Sequence, residues 1–148
     1  FEAGASAAFL SSIVEMRLAL EPEAAGLAAL RRTEAQLAKL YEWVEEMGST
    51  RESPAHFVHS DLQFHIAIAE ASGNPFMRSI SALIEVALVT TFTISSPIPN
   101  TERHMHSVAR HRAIADAIRD RDVAAAKEAM RGVIQDGAER VLAASGTD

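Results

Sequence analysis

An all-α fold, built as an antiparallel bundle of about six helices, is predicted by three observations. Ala, Leu, Glu and Arg dominate the 148 residues, and these are good helix formers. The 5 Pro and 7 Gly punctuate the chain between apolar-periodic segments rather than interrupting every segment. No stretch reads as a strand with a partner: the β-prone "TTFT" at 90–93 continues an apolar helical run. Hydrophobic residues make up 48% of the chain, enough to fold, and the length suits one domain covering 1–148.

The elements follow in order. A first helix is expected from about Ser6 to Leu20, with Phe9, Leu10, Ile13, Met16, Leu18 and Leu20 as its apolar surface. Pro22 suits the first turn of a second helix, which carries Leu27, Leu30, Leu37, Leu40, Tyr41 and Val44 and stops at Gly48. "GSTRESP" is a polar loop. A third helix starts near Ser53-Pro54 and ends at "SGNP", where Gly73 supplies a left-handed cap and Pro75 opens the next helix. The fourth, Pro75 to about Ile94, is apolar on most sides and is expected to be central. "SSPIPN" is a break. The fifth is expected over Thr101–Arg119 and the sixth over Val123–Ala144. The connections are short, which favours antiparallel neighbours and no internal domain boundary.

Composition narrows the chemistry. Without cysteine, any metal must be held by His, Asp or Glu. No apolar run reaches the roughly 18–20 residues that span a bilayer, and no signal-peptide pattern opens the chain. The formal charge of −6 argues against nucleic-acid binding by this chain itself, because phosphate contacts need a basic face.

Asp61 and His65 are four residues apart and share a face of a mostly apolar helix that also carries Phe57, Phe64, Ile66 and Ile68. A carboxylate there needs a partner, and a divalent cation shared with the imidazole is one solution. A plain Asp–His hydrogen bond, or a pair facing solvent, is another, and isolated D-x-x-x-H spacing is common in helices. In "TERHMHSVARHRAIADAIRDRD", His104, Ser107, Val108 and His111 share one stripe that Ile114 and Ile118 continue, so His111 is expected to point inward. A satisfied core histidine is the bland alternative for His111, and solvated surface for His104. His106 projects elsewhere, and His56 and His59 are read as surface. Arg17, among apolar residues in "VEMRLALE", would ordinarily reach solvent or pair with Glu15 or Glu21.

Taken together, "EMRLALEPEAAGLAA", "DLQFHIAIAEASGNP" and "HRAIADAIRDRDVAAAKEAM", in that order and separation, resemble the FCD domain. That domain is the C-terminal effector-binding part of FadR-subfamily GntR transcription regulators. The resemblance covers essentially the whole chain. It implies a helical bundle around a polar ligand cavity, with an Asp and three His holding a divalent metal at the floor and a small carboxylate effector binding at or near it. Carried over residue by residue, Asp61, His65 and His111 are metal ligands, with zinc expected ahead of nickel. The third His position holds Val133, so water or effector oxygens fill further coordination positions; alternatively the metal is absent and these residues bind the effector directly. Arg17 falls where the family often has an Arg facing the cavity, suited to forking an effector carboxylate. Ser107 lies about 6 Å and His104 about 10.5 Å along the axis from His111, and both are weaker effector candidates.

The resemblance therefore implies a cytoplasmic sensor domain that binds a small organic acid, such as a hydroxy acid, sugar acid or dicarboxylate. It would act without catalysis, as a homodimer, and away from membranes. DNA would be contacted only through a winged helix-turn-helix domain expected ahead of Phe1. Two other classes fit the residues in part: a helical metalloenzyme using an Asp–His–His site, although no general base or nucleophile stands out beside it, and a structural helical module whose histidines are incidental.

Overall fold

The computed structural model describes residues 3–49, 53–83, 89, 96–98 and 100–144. Among the described residues six helices and no strand are present: α1 (Ala3–Arg31), α2 (Glu34–Ser49), α3 (Pro54–Ala71), α4 (Pro75–Leu83), α5 (Thr101–Arg119) and α6 (Val123–Ala144). The all-α expectation holds.

The first boundary differs from expectation. Pro22 lies inside α1 instead of opening a new helix. An internal proline removes one i→i−4 hydrogen bond and crowds the carbonyl of Leu18, a disruption of about 3 kcal/mol in an unsupported helix. Support comes from packing. Ala24, Ala25, Ala28 and Ala29 are all buried in the main core and have no side chain long enough to hold neighbours off. The real break falls at Arg32-Thr33 and is marked by a reciprocal cap: the Gln36 N–H donates to Thr33 Oγ1 (3.1 Å) and the Thr33 N–H to Gln36 Oε1 (3.0 Å).

The other ends follow the expected chemistry. Ser53 caps α3 through the His56 N–H, Asn100 caps α5 through the Arg103 N–H, and Asp122 caps α6 through the Ala125 N–H. Gly73 turns the chain out of α3 at φ +68°. A Cβ there would also lie 3.2 Å from Arg31 Cδ. Gly73→Ala is therefore expected to destabilise the fold by about 1–2 kcal/mol, read as a lowered midpoint in urea unfolding; an unchanged midpoint would contradict the left-handed turn.

Arginines tie the helix ends together. Arg32, buried, donates to the carbonyls of Ile118 (3.3 Å) and Arg119 (2.8 Å) at the end of α5. Arg121, itself at φ 57°, donates back to Ala29 (3.3 Å) and Leu30 (3.1 Å) at the end of α1. Arg31 donates to Ser72 beyond α3 (3.1 Å). These guanidiniums satisfy helix-terminal carbonyls that have no partner within their own helices.

In the bundle, α1 packs on α3, α5 and α6, while α2 packs on α3 and α5 and α5 also meets α6. The core joins Leu40, Val44 and Met47 of α2 to Phe57, Phe64 and Ile68 of α3, Ile114 and Ile118 of α5, and Met130 and Ile134 of α6. Among the described residues α3 is the most buried helix, with ten buried residues out of 18. From Pro75 to Ser81 every residue of α4 is exposed or half-buried, Phe76 being 76% exposed. An apolar composition supplies core only where neighbours cover it on all sides. The expected continuation of this helix to Ile94 lies outside the described residues.

Candidate metal and effector site

Three buried side chains converge between α3 and α5. Asp61, His65 and His111 each offer a ligand atom, and these atoms all lie within 4.8 Å of one another. A single oxygen, Asp61 Oδ1, faces both imidazoles: His111 Nε2 at 2.9 Å and His65 Nε2 at 3.2 Å.

The other edge of each ring explains this orientation. His111 Nδ1 lies 2.7 Å from the Ser107 carbonyl. A carbonyl only accepts, so Nδ1 carries the proton and Nε2 is the atom presented to Asp61. His65 Nδ1 lies 2.5 Å from Glu21 Oε1 of α1, an ion-pair contact between helices that sets a carboxylate charge against this ring edge. Phe64, fully buried, meets both rings edge-on, with centroids 5.8 Å from His65 and 5.3 Å from His111. It forms an apolar wall that fixes the two ring planes.

The electrostatics follow from the same contacts. Burial works against charge on Asp61, but His111 and then His65 overcome it and hold the carboxyl far below the usual carboxylate range. Burial also opposes charge on Glu21, where Arg17 and His65 prevail and keep it ionised. His65, against its own burial, is pushed well above the ordinary imidazole range by Glu21 and Asp61. Arg140 of α6 is pulled down by its burial, with Asp61 acting in the opposite sense.

Arg17 is 3% exposed and its Nε lies 2.5 Å from Glu21 Oε2. It pairs with Glu21, as its ordinary reading allowed, and also lines a cavity of about 20 Å³ together with Glu21, His65, Met16 and Met77. The structure thus brings Arg17, Asp61, His65 and His111 into one polar run. Ser107, 3% exposed, joins it through its carbonyl. His104 does not join it. That residue is 1% exposed, not solvated; its Nε2 lies 2.6 Å from the Met47 carbonyl at the end of α2, and it borders a separate groove with Gly48, Val108 and Arg112. His56, His59 and His106 are exposed, as expected. Val133 is buried in the apolar core. Sequence reasoning gave Glu21 no role beyond a partner for Arg17; the four-residue spacing was visible, but the contact with His65 crosses between helices.

The family model described as the FCD domain matches residues 12–136. The chain belongs to the FCD domain family of GntR-type regulators. This FCD domain is 35% identical over 121 residues to a protein of Citrobacter rodentium named HTH-type transcriptional repressor NanR, covering 79% of this chain and 45% of that protein. A protein of the same name from Salmonella newport is 34% identical over the same length, again with 79% and 45% covered. Among solved structures, Streptococcus agalactiae GntR superimposes with a TM-score of 0.73 at 31% identity, covering 86% of this chain and 57% of that one. The FCD domain thus spans just under half the length of these curated relatives. No helix among the described residues is long and apolar enough to cross a membrane.

Proposed function

We propose that this FCD domain is the effector-sensing part of a GntR-family transcription regulator. It takes a small organic acid (a hydroxy acid, sugar acid or dicarboxylate) beside a divalent cation, zinc ahead of nickel, held by Asp61, His65 and His111. The observation that carries this is the single oxygen of Asp61 facing two Nε2 atoms whose opposite ring edges are already committed. One carboxylate and two imidazoles with partners fixing both rings is a donor set suited to zinc or nickel.

Such a cation supplies Lewis acidity toward carboxylate or hydroxyl oxygens of the effector. The protein's own residues do the rest. Asp61 balances charge, the Ser107 carbonyl keeps His111 in one tautomer, and Phe64 keeps water from the ring faces. Val133, apolar where the family usually has His, leaves a coordination position to the effector or to water. Arg17 brings a planar guanidinium to an acid group. The cavity of about 20 Å³ has room for roughly one water-sized sphere, so an acid enters as flexible lining side chains such as Met16 and Met77 move aside.

The regulatory part of the proposal draws on the relatives, which are named transcriptional repressors. Acid binding would favour one arrangement of attached DNA-binding domains over another, in a cytoplasmic homodimer and without catalysis. Exposed Phe9, Met16 and Leu30 on α1 and Phe76 on α4 supply apolar surface for such a dimer.

Calorimetric titration with zinc after chelator treatment tests the site. One zinc per chain is expected, and a panel of small acids should bind more tightly to the zinc-loaded protein than to the stripped one. Absence of zinc binding would sink the metal reading. In a mobility-shift assay this acidic chain alone should leave duplex DNA unshifted; operator-specific binding by it would overturn the sensor assignment.

A further inference from the structure

Glu21 divides its two carboxylate oxygens between two functions. Oε2 lies 2.5 Å from Arg17 Nε on its own helix, and Oε1 lies 2.5 Å from His65 Nδ1 on α3. Arg17 and His65 are each 3% exposed and Glu21 16%, so water does little to screen either contact. Glu21 meets His65 at Nδ1, the ring edge opposite Nε2. It therefore stands behind the ring and is not a fourth ligand beside Asp61. Next to the Ser107 carbonyl on His111, it is the second of two acceptors that turn an Nε2 toward Asp61, and the only one of the two that carries a charge.

We propose that Glu21 is a positioning residue that couples the acid-binding Arg17 to the metal-binding His65. This rests on the proposed metal site and adds its regulation. With its charge 2.5 Å from Nδ1 of His65, Glu21 favours the proton on that edge of the ring, leaves Nε2 as the metal-facing nitrogen and makes it a stronger donor to a bound cation. By holding Arg17, it spends part of its charge on the guanidinium. When an effector carboxylate draws on Arg17, Glu21 draws harder on the His65 proton and Nε2 binds the cation more tightly. By reciprocity the cation tightens acid binding by the same factor. The chain Arg17–Glu21–His65–Asp61 is unbroken from the cavity to the metal ligands, so no movement of a helix is needed to carry the effect.

The test uses zinc and cobalt(II) alone, titrated into the metal-stripped, folded chain well below its unfolding temperature. Glu21→Gln is expected to weaken both metals by about 10–100-fold, while the cobalt d–d spectrum at saturation stays that of the wild type because the ligands are unchanged. A merely structural Glu21 would lower the unfolding temperature and leave the affinity of the folded protein alone. Arg17→Met should tighten zinc several-fold in the wild-type background and clearly less in the Glu21→Gln background. The double variant, which removes both charges together, gives the second affinity should Glu21→Gln alone fail to fold; it should bind zinc more weakly than Arg17→Met. Wild-type zinc binding with equal affinity in Glu21→Gln, or in the double variant and Arg17→Met, would overturn the coupling and leave the metal site standing. No zinc binding by the wild type would overturn both.

Discussion

Replacing Asp61 with Ala is expected to abolish zinc binding at micromolar metal and to destabilise the metal-free chain as well. Asp61 Oδ1 is the shared partner of two buried imidazoles, at 2.9 and 3.2 Å. Without it, Glu21 still holds a proton on His65 and the Ser107 carbonyl still holds one on His111, but neither Nε2 faces a counter-charge. Breaking a buried charge pair costs about 3–5 kcal/mol, which for a chain of this size lowers the unfolding midpoint by about 6–20 °C. Asp61→Asn separates the two roles of the side chain. Its amide oxygen still accepts from one imidazole, so part of the stability should return while metal binding stays lost. Thermal unfolding in chelator, beside a zinc titration, reads both. A midpoint within a degree or two of the wild type for Asp61→Ala would mean that the three side chains do not depend on one another.

Arg17→Met is expected to act in two directions at once. The substitution leaves Glu21 buried with only His65 opposite it, so the metal-free chain should lose about 3–5 kcal/mol. Removing the Glu21 charge too, in Arg17→Met with Glu21→Gln, should recover part of that loss, since deleting both partners leaves no orphaned charge. Acid binding should weaken by about 2–5 kcal/mol even though zinc binding tightens. Calorimetry with a panel of small acids on zinc-loaded protein checks the first effect, and urea unfolding of the four proteins in the cycle checks the second. Equal acid affinities in wild type and Arg17→Met would remove Arg17 from the effector site.

The starts of α3, α5 and α6 fall where the sequence reading placed them, and the structure closes each with a local cap, Ser53, Asn100 and Asp122, whose oxygen reaches the first turn. The join between the first two helices was misread because Pro22 looks the same at a helix start and inside one. Only the alanine face packed behind it decides, and that face is tertiary. The true signal, Thr33 with Gln36 three residues later, lay in the sequence unread. The described start of the fourth helix, Pro75 to Ser81, is exposed or half-buried, since apolar content does not say which neighbours are present. The spacing of Asp61 and His65 showed a shared face, the stripe through Ile114 and Ile118 turned His111 inward, and the resemblance joined the three as one site. None of these could place Glu21 on the far edge of the His65 ring, because that contact exists only once α1 lies against α3.

Pro22 has a mechanical consequence for α1. Its missing N–H leaves the Leu18 carbonyl without the usual bond from four residues on, so the rod is softest between residues 18 and 22. The Arg17–Glu21 bridge spans this gap from the side, a splint of side chains over a missing backbone rung. Beyond the gap, the stretch from Pro22 to Arg31 is clamped by its alanine packing and by Arg121. Under the proposed function, an acid that takes hold of Arg17 would loosen this splint at the proline, while Leu10 and Ile13 keep the earlier turns packed on Val141 of α6. Under that proposal, the local stiffness of α1 around Pro22, and not only charge, becomes a quantity that an acid in the cavity would set.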